Sequence, residues 1–208
     1  MIADWLRPVE QIVLAARGAG LRVVGITSPH VESGVSTLSK EVAENYGSAG
    51  IRTLLVDMTA PVGEATFYKK SWFPGQSGAL KPIRTLTAGY DQLTCLATNE
   101  TRFLFNNTEL LRRTLDNELD QYAAVILDLP PLLAQQPDLL NSLAIAVACD
   151  AVCIVCVTGG ITHNELTTVS QMLKTTRVHL LGIVLNDFVA PRQGKWFKKR
   201  TFAGSRLT

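Results

Sequence analysis

One glycine and two hydroxyl residues directly follow an apolar run and offer the most distinctive chemistry in the sequence. The stretch ITSPHVESGVSTLSKEV passes from a β-type run into a helix-type pattern and contains Gly34, Ser36 and Thr37. Backbone amides at the start of a helix bind phosphate, and a hydroxyl at that place can hold magnesium. The spacing therefore predicts a phosphate-binding loop.

The lysine that normally completes such a loop is missing, because position 35 is Val35. A charged donor contributes about 1.5–3 kcal/mol to binding an anion, and more where charge develops in phosphoryl transfer. Glu32 also occupies a place where glycine would let the backbone approach phosphate, and its carboxylate repels a polyphosphate. We expect catalysis to suffer more than binding. The alternative is a strand-to-helix turn with a good N-cap and no ligand.

Two aspartates each end an apolar run, Asp57 in LLVDMTA and Asp128 in AVILDLPPLL. An open parallel sheet places its ligand crevice at the carboxyl ends of the strands. A carboxylate there can hold magnesium or polarise water. The alternative is a carboxylate that only closes a strand-end turn or caps a helix.

Short β-branched runs alternate with longer amphipathic stretches, which predicts an α/β fold with a mostly parallel sheet and helices on both faces. The predicted strands are 22–27, 53–57, 93–97, 125–128, 151–157 and 181–185. The predicted helices are about 5–17, 36–49, 108–121, 138–147 and 162–175. Residues 59–90 are rich in Pro and Gly, and so long an irregular stretch predicts a functional or mobile excursion.

Composition predicts one domain over residues 1–190, since 208 residues with 47% apolar content suit a single core. The formal net charge of +2 is too small to indicate a nucleic-acid partner. We find neither a signal peptide nor a clean apolar run of about 20 residues, and therefore expect a soluble, cytoplasmic protein. Cys153 and Cys156 have an odd spacing that sends them to opposite faces of a strand, so we expect buried thiols and no shared metal.

Residues 191–208 have the character of a basic, aromatic tail. Lys195–Arg200 combines four basic residues with Trp196 and Phe197. Such a run is attracted to anionic lipid by about 1 kcal/mol per basic residue. We expect contact with an anionic membrane, the alternative being a solvated tail.

In their order and spacing these features resemble the cytoplasmic tyrosine-kinase domain of bacterial capsule and exopolysaccharide systems, the BY-kinases. That family is related to the MinD and ParA class of P-loop ATPases. The resemblance runs from about residue 9 to residue 190, and includes NNTELLRRTLDNELDQYAAVILDLPP, which is similar to the family's Asn-Pro-x-Glu-Leu-Leu helix and Asp-x-Pro-Pro strand. It implies a three-layer P-loop NTPase-like domain.

The resemblance also implies roles for individual residues. The implied nucleotide-binding positions are Gly34, Val35, Ser36, Thr37 and Asn186. The implied magnesium ligands are Ser36, Asp57 and Asp128, with Asp57 and Asp128 also the catalytic acids of an active member. ATP or ADP with magnesium is then the expected cofactor, and the alternative is that no cofactor binds.

The sequence departs from the family pattern at positions that the resemblance links to phosphoryl transfer. Val35 replaces the loop lysine, Thr59 replaces the second acid of an Asp-x-Asp pair, and no tyrosine follows Tyr122, where the family has a C-terminal tyrosine cluster. These three changes favour a protein that is not an enzyme. The leading hypothesis is a catalytically impaired regulatory or scaffolding component of exopolysaccharide synthesis or export.

The resemblance implies a partner and a place in the cell as well. We expect a membrane-embedded polysaccharide co-polymerase as partner, a homo-oligomer, and a peripheral position at the inner membrane. The N-terminal helix around Trp5, Leu6 and Val9 is a candidate contact, or else packs on its own domain.

Two rival functions remain. One is an active ATPase or tyrosine autokinase that replaces the lysine by Lys40, Arg52 or a partner's side chain. The other is a MinD-like positioning protein controlled by nucleotide.

Overall fold

The predicted strands join into a single sheet. The computed structural model describes residues 6–60, 72–75, 83–85, 89–95, 99, 102–134, 136 and 138–187. Its strands are β1 Val23–Thr27, β2 Thr53–Asp57, β3 Ile83–Thr85, β4 Tyr90–Thr94, β5 Ala124–Asp128, β6 Ala151–Val157 and β7 Leu180–Asn186. Its helices are α1 Leu6–Gly18, α2 Val35–Ser48, α3 Arg102–Asn106, α4 Thr108–Asn117, α5 Ser142–Val147 and α6 His163–Thr175.

The sheet has the strand order β3-β4-β2-β5-β1-β6-β7. Six of these strands run parallel, and β3 pairs antiparallel with β4 at one edge. Because β1 lies between β5 and β6, chain connections leave the centre in both directions. Such a reversal opens a crevice at the carboxyl ends of the central strands.

Helices cover both faces, so the predicted three-layer class is confirmed. Alternate residues of the buried strands point into two separate cores. One core includes Val24, Ile26 and Leu55 with residues from α1 and α2. The other includes Leu54 and Val56 with residues from α4, α5 and α6.

The cysteines follow the same alternation. Cys153 packs in the core beneath α1 and α2, whereas Cys156 packs in the opposite core. The prediction of opposite faces is confirmed. All four cysteines are free, and Cys149 is only half-buried.

Several predicted element bounds were wrong. The strand predicted at 93–97 is β4 and begins at Tyr90, because Asp91 and Gln92 already pair with β2. The helix predicted at 108–121 ends at Asn117, and the one predicted at 138–147 begins only at Ser142. Strand β3 and helix α3 were not predicted.

Two further predictions fall partly or wholly outside the described residues. The irregular stretch 59–90 contains β3 and one bridge between Trp72 and Cys95, and most of the rest is outside the described residues. The basic tail, 191–208, and Trp5 also lie outside them. Within α1, Val9 packs into the core beneath α2, whereas Leu6 is exposed. Within the described ranges, no helix is long and apolar enough to cross a membrane.

A half-buried carboxylate joins the amino ends of β1 and β6. The Arg22 and Val23 amides donate to one Asp150 oxygen at 2.8 and 2.7 Å, and the Arg112 guanidinium donates to the other at 2.7 Å. Burial alone would raise the pKa of Asp150, but the Val23 amide, Arg112 and the Arg22 amide together lower it. The ionised form of Asp150 therefore stabilises the fold.

We expect Asp150→Asn to lower the free energy of unfolding at pH 7 by about 1.5–3 kcal/mol, since hydrogen bonds to a charged group are lost. Because the folded-state pKa is depressed, this contribution is present above the ordinary value of 3.8 and is lost as the pH falls below it. Urea unfolding of both proteins at pH 7 and near pH 3 tests this. Asp120→Asn, at an exposed position, controls for net charge. An equal deficit at both pH values would contradict the prediction.

Candidate functional site

The loop between β1 and α2 enters the helix through a glycine in the left-handed conformation. Gly34 is the N-cap of α2 with a φ of 88°, which suits glycine. Its carbonyl accepts the Leu38 amide at 3.0 Å. Glu32 also has a positive φ, 58°, at the place where the sequence indicated a glycine-type position. A left-handed non-glycine residue costs about 1–2 kcal/mol.

Hydroxyl groups hold this loop without any ligand. The Ser28 and Ser33 hydroxyls donate to the His30 carbonyl at 2.6 and 2.8 Å. The Asn186 side-chain amide, from the end of β7, donates to the Ser33 carbonyl at 3.0 Å. Asn186 thus lies at the site, buried and bonded to the loop, and its implied role in nucleotide binding remains a prediction.

Val35, the residue in the place of the lysine, is part of the core. It is 8% exposed and packs in the cluster that α1, α2 and the sheet share. Ser36 is half-buried and Thr37 is exposed on the first turn of α2. The side chain at position 35 therefore supplies no positive charge to the loop.

Arg52 does not replace the missing lysine. Its guanidinium lies 5.2 Å from the centre of the Tyr122 ring and donates to Gln121 at 3.2 Å. Arg52 precedes β2 at the amino edge of the sheet, whereas Asp57 ends that strand. The strand rises about 3.3 Å per residue, so its whole length separates the two residues. Lys40 lies one turn beyond Ser36 and is close enough to lower the pKa of Asp128.

Asp57 and Asp128 are direct neighbours in the register of β2 and β5, as their positions at strand ends predicted. Asp128 is 3% exposed, and its Oδ1 atom has no hydrogen-bond partner among the described residues. Burial raises the pKa of Asp128 to about 7; Ser36 lowers it by a hydrogen bond, Asp57 raises it and Lys40 lowers it. Without an added cation the Asp128 carboxyl holds its proton up to near-neutral pH.

Thr59 gives Asp57 a local partner. The Thr59 amide and hydroxyl donate to the same Asp57 oxygen at 3.0 and 2.7 Å. The residue that replaces an acid therefore satisfies a carboxylate instead of adding a second one.

The donor set at this edge fits magnesium. The Ser36 hydroxyl and the Asp57 and Asp128 carboxylates are the hard oxygen ligands that magnesium prefers. Within the described residues, no group of three or more His, Cys, Asp or Glu side chains could hold a metal ion. The protein would supply two or three oxygens, and phosphate and water the others, as is usual for magnesium.

A connection between the loop and α6 was not predicted. His30 Nε2 lies 3.1 Å from Glu165 Oε1. Glu165 also forms the capping box of α6 with Thr162. Thr162 first, and His30 second, lower the pKa of Glu165. The Thr-x-x-Glu spacing in the sequence was a signal for the capping box, but nothing in it pointed to His30.

No protein-family model matches the chain. The tyrosine-protein kinase CpsD of Streptococcus pneumoniae serotype 4 is 27% identical over 183 residues, which cover 81% of this chain and 77% of the relative. CpsD of Streptococcus agalactiae is 26% identical over 182 residues, with 79% and 75% covered. These relatives make the chain similar to the BY-kinases, as the sequence motifs indicated.

Solved structures agree with this similarity in their fold. The kinase domain of the Escherichia coli tyrosine kinase ETK has a TM-score of 0.68 at 18% identity and covers 96% of this chain and 80% of its own. The septum site-determining protein MinD of Pyrococcus horikoshii, complexed with Mg-ADP, has a TM-score of 0.57 at 16% identity, with 79% and 69% covered. The expected BY-kinase resemblance and the MinD-like P-loop fold are both confirmed.

We expect Asp128→Asn to make this BY-kinase-like domain more stable at pH 8, by up to about 4 kcal/mol. The raised pKa means that the folded state holds a proton that the unfolded chain releases, so stability falls as the pH rises from 3.8 to about 7. Asparagine imitates the protonated carboxyl and removes that penalty. Urea unfolding at pH 5 and pH 8 should show an advantage that grows with pH.

The control for this comparison is Asp120→Asn, which removes one exposed charge far from the crevice. A constant or decreasing advantage of Asp128→Asn with rising pH would contradict the raised pKa.

Proposed function

We propose that this chain is a catalytically impaired tyrosine-kinase-like protein, a regulatory or scaffolding component of bacterial exopolysaccharide synthesis or export. The similarity to CpsD proteins supports an exopolysaccharide-related, kinase-like protein. The catalytic impairment rests on the chemistry of the loop.

The burial of Val35 is the observation that carries this proposal. Phosphoryl transfer depends on positive charge against the outer phosphates. Here the first residue of α2 is an isopropyl side chain packed into the core, and Glu32 adds a negative charge to the same loop. The loop has a left-handed glycine, Gly34, before the helix. It lacks the lysine that would stabilise the transition state.

A second candidate function is control by bound nucleotide without turnover, as in a MinD-like protein. The retained oxygen donors of Ser36, Asp57 and Asp128 favour it, because they form a magnesium-compatible edge beside an intact loop. Several structural neighbours hold ADP or an ATP analogue with magnesium. Weak binding of Mg-ADP or Mg-ATP is consistent with both functions.

Calorimetric titration with Mg-ADP and Mg-ATP, followed by a phosphate-release assay, tests the proposal. We expect weak or no binding and no turnover by the unaltered protein. Val35→Lys should tighten Mg-ATP binding by about 10-fold or more, since a charged donor to an anion contributes about 1.5–3 kcal/mol. Val31→Lys is the matched control, because Val31 is an exposed valine of the same loop.

Turnover by the unaltered protein would overturn the proposed impairment. Lys40→Ala would then show whether Lys40 supplies the missing charge, since a loss of turnover would identify it as the substitute. An equal gain from Val31→Lys and Val35→Lys would mean that any added charge strengthens binding. Circular dichroism shows whether lysine at the buried position is tolerated.

We further propose that the protein works at the inner membrane, beside a membrane-embedded polysaccharide co-polymerase and as a homo-oligomer. The relatives named tyrosine-protein kinase CpsD support an association of this kind. The membrane contact rests on the sequence of the tail, Lys195–Arg200.

Deletion of residues 192–208 should abolish sedimentation with vesicles that contain anionic phospholipid. The four basic residues of Lys195–Arg200 contribute about 1 kcal/mol each at such a surface. Trp196→Ala with Phe197→Ala keeps the charge and should weaken the binding only in part. Unchanged sedimentation after the deletion would remove the tail from the proposed membrane contact.

A further inference from the structure

One pocket has no lining residue from the loop between β1 and α2. It has a volume of about 280 Å³ and lies between α3, the segment that follows β5, and the start of α5. Its polar lining consists of Arg102, Asn106, Gln136, Asn141 and Ser142.

The lining of this pocket offers a charged donor and several neutral ones. Arg102 is half-buried and has no hydrogen bond or ion pair with any residue that the structure describes. Asn141 uses its side-chain oxygen to accept the Ala144 amide at 3.3 Å, which leaves its amide hydrogens for another partner. No Asp or Glu is among the described residues that line it. A guanidinium without a described partner, in a pocket whose described lining has no carboxylate, favours an oxyanion.

The geometry of these donors suits phosphate in particular. The guanidinium fork binds two oxygens of a phosphate at once. Asn106 and Gln136 each carry both a donor and an acceptor, as neighbouring hydroxyls of a ligand require. Leu139 and Leu140 add an apolar wall.

The size of the pocket limits the ligand. Pockets for drug-sized molecules have about 300–1,000 Å³, so 280 Å³ admits a molecule about as large as a phosphorylated monosaccharide. We propose that this pocket binds a small, hydroxyl-rich phosphate monoester through Arg102. This site does not depend on whether the phosphate loop binds nucleotide.

One residue that lines the pocket contacts the end of β1, where the loop begins. The Ser142 hydroxyl, which lines the pocket, lies 3.3 Å from the Thr27 hydroxyl at the end of β1. Thr27 also donates to the Pro130 carbonyl at 2.7 Å. The two sites are therefore neighbours that share one buried hydrogen-bonded contact and no lining residue.

Titration of the ¹⁵N-labelled protein with glucose 1-phosphate, followed by NMR, tests the proposal. We expect amide shifts at Arg102, Asn106 and Ser142. Arg102→Gln should raise the Kd at least about tenfold, because the charged donor is lost. Arg113→Gln should leave it unchanged, since that exposed side chain pairs with Glu109.

A second variant keeps the test independent of Arg102. Asn106→Asp places a carboxylate in the pocket at an exposed position, and we expect it to weaken glucose 1-phosphate binding as well. Glucose should bind at least tenfold more weakly than glucose 1-phosphate.

Three results would overturn the proposal. Shifts confined to Gly34–Thr37 would assign the anion to the phosphate loop. An equal loss in Arg102→Gln and Arg113→Gln would indicate general attraction by charge. Inorganic phosphate that binds as tightly as glucose 1-phosphate would show that the pocket makes no use of the sugar.

Discussion

A carboxyl group buried at the end of a central strand must either keep its proton or meet a cation, and Asp128 is under that constraint. β5 lies between β2 and β1, so its carboxyl end is enclosed by both neighbours. Burial first, and nearby Asp57 as well, raise the pKa of Asp128 to about 7. In a phosphate loop that has its lysine, the side chain at position 35 would supply part of the positive charge that balances the Asp128 carboxylate. Since Val35 is packed into the core instead, Asp128 keeps its proton unless Lys40 or a bound ion supplies the charge.

At the opposite edge of the same sheet, the Asp150 carboxylate has a structural role and has several hydrogen-bond donors. Asp150 receives two backbone amides and the Arg112 guanidinium, so its pKa falls although it is partly buried. Asp128 has one orphaned oxygen in place of such partners. The loop beside it is held by hydrogen bonds among Ser33, His30 and Asn186. Bonds within the chain therefore fix the conformation of this loop.

Sequence patterns predicted the central strands to within one residue, because β1, β2, β5 and β6 are buried on both faces and form continuous apolar runs. They misplaced β4, whose second and third residues, Asp91 and Gln92, are polar and half-buried, and missed the three-residue β3 at the edge. The adjacency of the two strand-end aspartates was predictable from parallel pairing. Contacts such as Asn186 with Ser33, 153 residues apart, were not, because no local spacing encodes them.

Proton binding and cation binding compete at Asp128, which links the electrostatics of the crevice to its proposed ligand. A carboxyl with a pKa near 7 must lose its proton before it coordinates magnesium. Any Mg-nucleotide affinity of this site therefore weakens as the pH falls below 7, because the proton occupies the ligand atom. In a loop with a lysine, the ammonium would hold Asp128 ionised and would suppress this dependence. Val35 thus would do more than remove a contact with phosphate, because it would also make any magnesium binding at this site depend on pH.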